Sequence, residues 1–113
     1  MTKEEIEQKC FEFLVDKFED YNEIFLEEEE LEEKNSNEVI SEELLKKYIE
    51  LRTKYRKIGN VFDEFLEENS KNIDKELYQD MESLQRLIID AEYRVSDKYF
   101  EGYLNLLQNK FEV

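Results

Sequence analysis

Apolar side chains recur at alternating steps of four and three through three long stretches of this chain, and no proline interrupts any of them. Such spacing places one apolar stripe along a helix and leaves the other faces polar. A proline inside a helix costs about 3 kcal/mol, so its absence lets each stretch run unbroken. The first seam is Ile6, Cys10, Leu14, Phe18, Tyr21 and Phe25. Phe11, Phe13, Val15, Ile24 and Leu26 widen it, which predicts more than one neighbour for this helix. The second seam is Leu44, Tyr48, Leu51, Tyr55, Ile58, Phe62 and Phe65, and its register passes through Gly59 without a slip. The third is Leu77, Met81, Leu84, Ile88, Ala91, Val95 and Tyr99.

Start and stop signals bound these stretches. Thr2 and Glu5 have capping-box spacing. Ser41 is flanked by Ile40 and Leu45 as a hydrophobic staple, and Asp74 by Ile73 and Tyr78. The polar segments KNSN (34–37) and ENSKN (68–72) read as the turns. The helices are therefore expected over about 3–32, 42–68 and 74–111. Long helices joined by short turns pack antiparallel. The expected fold is all-α, an elongated antiparallel three-helix bundle forming a single domain over 1–113. A second cap signal at Ser96, with Val95 and Phe100 around it, allows an alternative in which a fourth short helix occupies 97–111.

Composition limits the chemistry. Charged residues make up 42% of the 113 residues, yet 8 Phe and 7 Tyr argue for a packed core rather than disorder. The net charge is −15, which disfavours direct binding to nucleic acid or to an anionic membrane and favours a protein partner with a basic surface. Histidine is absent, removing the commonest acid–base group and metal ligand. Zinc sites of the Cys/His type, Ser-His-Asp triads and Gly-rich phosphate loops have no residues to build them. The single cysteine, Cys10, sits among apolar residues and reads as a core residue. No catalytic residues, cofactor or metal ligands are expected. A remote alternative is a carboxylate-based Mg²⁺-dependent nucleotide hydrolase, using the spaced pairs Glu29/Glu32 and Glu64/Glu67. The N-terminal sequence lacks the apolar run of a signal peptide, and no apolar stretch is long enough to span a bilayer. A cytoplasmic location is the expectation. Frequent Lys, Asn and Ile fit an AT-rich bacterial or phage genome.

Three features stand above this background. Glu5, Glu12, Asp16, Glu19, Glu23, Glu27 and Glu30 fall in one narrow arc of the first helix, opposite its apolar face. Residues 2–34 hold 14 acids and 4 bases, −10 of the total charge. From Glu12 onward one carboxylate per turn, about 5.4 Å apart, approaches in order of magnitude the spacing of phosphates along a nucleic-acid strand. The second feature is the run EEEELEE at 27–33. Continuing the helix there rotates Glu28, Glu29, Glu32 and Glu33 toward the apolar side, where the helix C-terminus also disfavours them. The bundle core is therefore expected to end near Leu26, with Lys46 and Lys47 at the start of the second helix within reach of the run. The third is a second apolar stripe on the last helix, Ile89, Tyr93, Phe100, Leu104, Leu107 and Phe111. Either the wide face of the first helix covers it or it is an interface.

These features point to a small acidic binding protein rather than an enzyme. The leading expectation is an inhibitor acting as a nucleic-acid mimic. It would block the basic surface of a nuclease or other nucleic-acid-binding complex through Glu12, Asp16, Glu19, Glu23, Glu27, Glu28, Glu29, Glu30, Glu32 and Glu33. Immunity proteins against nuclease toxins and phage anti-defence proteins are functional classes of this size and charge, although no family motif is matched. The alternative is a helical adaptor, chaperone-like or structural module, homodimeric through the last helix.

Overall fold

The computed structural model describes residues 2–35 and 41–111. It contains α1 (Lys3–Asn35), α2 (Glu42–Asn69), one 3-10 turn (Ser70–Asn72) and α3 (Lys75–Phe111), with no strand among the described residues. The protein is an all-α helical bundle. The helix bounds agree with those expected to within three residues, the largest difference being the end of α1 at Asn35.

The caps form as their side chains dictate. Thr2 Oγ1 accepts the Glu5 N–H at 3.2 Å. Ser41, in extended backbone conformation, accepts the Leu44 N–H on its Oγ at 3.2 Å. Glu4, Glu5, Glu42 and Glu43 occupy the first turns of α1 and α2, where negative charge meets the positive helix end. The Ile40 half of the staple at Ser41 lies outside the described residues. Ile73 and Tyr78 both pack against the core at the entry to α3, and the Asp74 carbonyl accepts the Tyr78 N–H at 2.9 Å.

Cross-helix pairs establish the topology. Phe13 stacks on Phe65 with ring centroids 3.8 Å apart, Tyr21 meets Tyr55, and Glu27 pairs with Lys54, so α1 and α2 run antiparallel. Asp63 with Gln85, Arg56 with Glu92 and Arg52 over Tyr99 make α2 and α3 antiparallel. Glu28 with Arg94 and Glu32 with Lys98 advance together, so α1 and α3 are parallel. The path is up-down-up in a rod of 67 × 22 × 17 Å. Tyr55, Phe62, Met81, Ile88, Ala91, Val95 and Cys10 are fully buried at its centre.

Three local expectations are corrected. The core does not end near Leu26. Helix α1 continues to Asn35, and both Leu31 and Glu28 are buried. The register that would have expelled Glu28 is kept because the facing helices supply the partners described below. Nor does α3 break at Ser96. Val95 and Gly102 are both buried, so the packed face continues across that position. Phe18, assigned to the first seam, is 52% exposed. Lys17 takes the inner position instead, lying 5.6 Å over the Phe13 ring with its ammonium held by Asp16 and Asp20. Its alkyl stem covers apolar surface while its charge stays paired.

Candidate functional site

The carboxylate arc of α1 is an exposed ridge. Glu12, Asp16, Glu19, Glu23, Glu27 and Glu30 all face solvent. Some have local partners: Gln8 donates to Glu12 at 3.2 Å, Lys17 lies 3.3 Å from Asp16, Lys34 lies 3.3 Å from Glu30, and Lys54 of α2 lies 2.8 Å from Glu27. Glu19 and Glu23 have no ion-pair partner among the described residues. Exposed pairs of this kind contribute only about 0–1 kcal/mol each. Glu12, Glu19 and Glu23 are the ridge carboxylates with no described cation beside them.

The glutamate run divides. Glu29 and Glu33 are exposed, but Glu28 is 3% exposed and belongs to the interior. Arg94 grips it through Nε at 2.7 Å and Nη2 at 2.8 Å, Tyr55 Oη donates at 2.8 Å, and Lys98 Nζ lies 3.5 Å away. Lys98 also pairs with Glu32. Three helices thus meet at one carboxylate. Burial alone would raise the pKa of Glu28. The hydrogen bonds from Arg94 and Tyr55 and the charges of Arg94 and Lys98 outweigh it and hold the carboxyl below its usual range. Burial first, and then the bond to Glu28, push the Tyr55 hydroxyl up. The described ion pairs to the run come from Lys34, Lys54, Arg94 and Lys98, not from Lys46 and Lys47. Glu28 is therefore removed from the partner-facing set, and Glu32 is largely committed inside the molecule.

Two apolar surfaces remain open. On α3, Ile89, Tyr93, Phe100, Leu104 and Phe111 are exposed, reaching 82% at Phe111, while Leu107 is half-buried. Helix α1 does not cover this stripe. It lies along another side of α3, the side that carries Leu84, Arg94 and Lys98. The second surface follows from that placement. Between α1 and α3 runs an open groove of about 600 Å³ with Leu14 and Leu84 in its lining and Val15, Phe18 and Leu87 exposed along it. Phe11 and Val15 extend it along α1 beside Glu12 and Asp16. Reading the sequence by its widest apolar face missed this groove. The step of Phe11, Val15 and Phe18 by four and three was the available signal.

No group of three or more His, Cys, Asp or Glu side chains is arranged to hold a metal ion among the described residues. No described helix is long and apolar enough to cross a membrane. Comparison of the chain with protein-family models, with characterised proteins and with solved structures finds no match.

Proposed function

We propose that this protein is a non-enzymatic binding protein that presents the acidic ridge of α1 to a basic, nucleic-acid-binding surface of a partner protein and blocks it. The observation that carries this reading is the run of exposed carboxylates on successive turns of α1, with Glu19 and Glu23 unneutralised by any described cation. Helix α1 has 33 residues, about 50 Å at 1.5 Å per residue. Over the stretch from Glu12 to Glu30, about 27 Å, it carries one carboxylate per turn and can follow a groove built for a phosphate backbone. Association with a basic surface would be steered by charge and weakened by salt. The experiment is capture from a host lysate on immobilised protein, eluted by a salt gradient and repeated with Glu19→Lys, Glu23→Lys and Glu27→Lys combined. A nucleic-acid-binding protein released at moderate salt from the wild type and not retained by the variant is the expected outcome. Equal retention by both would remove the ridge as the site.

A second reading rests on the uncovered α3 stripe. Residues 102–110 contain a single charged side chain, Lys110. In a chain of net charge −15, this stretch brings little charge against a second copy, so α3 suits a homodimeric or adaptor module.

A further inference from the structure

The groove between α1 and α3 differs from the α3 stripe in its electrostatics. Phe11, Val15 and Phe18 are spaced over about two turns of α1, and Leu87 of α3 lines the groove with Val15 and Phe18. Leu14 and Leu84 complete the lining. Glu12, Asp16 and Glu19 flank the groove from α1 and Asp80 from α3, and no lysine or arginine lines it among the described residues. Lys17 and Arg86 adjoin groove residues in sequence but do not line it; Lys17 lies over Phe13 with its ammonium on Asp16 and Asp20, so Glu12, Glu19 and Asp80 are the rim carboxylates with no described cation beside them.

We propose that this groove is a docking site for a cationic amphipathic helix of a partner protein. Two parallel helices with an open apolar furrow leave room for a fourth helix, whose anchors at i, i+3 or i+4 and i+7 would match a furrow about 10 Å long. The acidic rim selects the occupant's charge. Lys and Arg beside its apolar stripe meet Glu12, Glu19 and Asp80, whereas a second copy of this chain would bring carboxylates against carboxylates. The inference rests on the ridge reading for the sign of the partner's charge, but it adds an apolar anchor that the ridge does not require.

The test uses a fluorescent peptide of Leu and Lys, about 18 residues long, with Leu on one helical face, and a shuffled peptide of the same composition without that face. Anisotropy titrations at physiological salt are expected to show at least about tenfold tighter binding of the amphipathic peptide. Phe18→Ser and Leu87→Ser are each expected to weaken it by about tenfold. Both positions are about half exposed, so the thermal midpoint should stay near that of the wild type. Leu104→Ser, on the other apolar surface, should leave the affinity unchanged. Equal binding of the two peptides, or full affinity in the groove variants, would overturn the proposal while leaving the ridge reading standing. Glu23→Lys with Glu27→Lys, which leaves the Glu19 rim of the groove untouched, is expected to lose lysate capture while keeping the peptide preference. A wild-type dimer that Phe18→Ser converts to monomer would assign the groove to a second copy and overturn it as well.

Discussion

A carboxylate at position 28 gains its interior place from what surrounds it, not from its own preference. Two bonds from Arg94, one from Tyr55 and the nearby Lys98 ammonium satisfy it. Charge-assisted bonds of this kind contribute about 1.5–3 kcal/mol each, and removing one partner strands the other. Glu28→Gln is expected to cost about 2–3 kcal/mol, below the value for a fully buried pair because the Arg94 side chain is 37% exposed and water can reach it. The native pKa of Glu28 lies below its ordinary value of 4.5, so the unfolded chain binds this proton more readily. The stabilisation is therefore fully present above that ordinary value and is lost as pH falls through the lowered native one. Urea unfolding of wild type and Glu28→Gln should differ by a constant amount above about pH 5.5, with the gap closing in more acid solution. A pH-independent gap would show that the ionic pairing is not what the variant loses. Nothing near position 28 in the sequence announced this. Seven residues, six of them glutamate, look alike until Tyr55 and Arg94, 27 and 66 positions away, are brought beside one of them.

The helices themselves are legible from their periods and caps. Helix α2 runs through Gly59 as its seam required, with no positive φ at either glycine. A Cβ built there would lie 3.5 Å from Ile88 Cγ2, an ordinary van der Waals contact. Gly59→Ala should therefore raise stability by about 0.5–1 kcal/mol, through helix propensity and a less flexible unfolded chain, read as a rise in thermal midpoint. A fall would mean that Ile88 cannot accept the methyl group. Helix α1 was harder to read. Its apolar side chains extend around more than half of its circumference, and two neighbours can cover only part of such a surface. Phe11, Val15 and Phe18 are the residues left over, and Lys17 takes an inner position that hydropathy alone would not assign to it.

Over the whole molecule, the two open apolar surfaces differ in the charge around them. The acidic ridge and the acid-rimmed groove belong to the α1 side, while the low-charge end of α3 carries the uncovered Phe100, Leu104 and Phe111. If α3 joins two copies, sedimentation should give twice the chain mass of 13.9 kDa. Leu104→Ser with Phe111→Ser should then restore the single-chain mass without loss of helical signal, since both side chains are exposed. A wild type that sediments as one chain at high micromolar concentration would remove the dimer reading and leave the α1 surfaces as the candidates.

The three helical stretches, their starts and the all-α class were written in local pattern: period, cap residues and the lack of proline act between neighbours a few positions apart. The continuity of α2 through Gly59 was written there too, because the register on both sides agreed. The course of α3 past Ser96 needed the packed neighbours, since a cap signal and an unbroken seam compete at that point and burial of Val95 and Gly102 decides between them. Tertiary structure alone decided which glutamate went inside, which apolar residues of α1 stayed out, and where a groove opened. Those outcomes depend on which side of each helix its neighbours occupy. That choice is made by packing three rods together, an event that no short stretch of sequence encodes by itself.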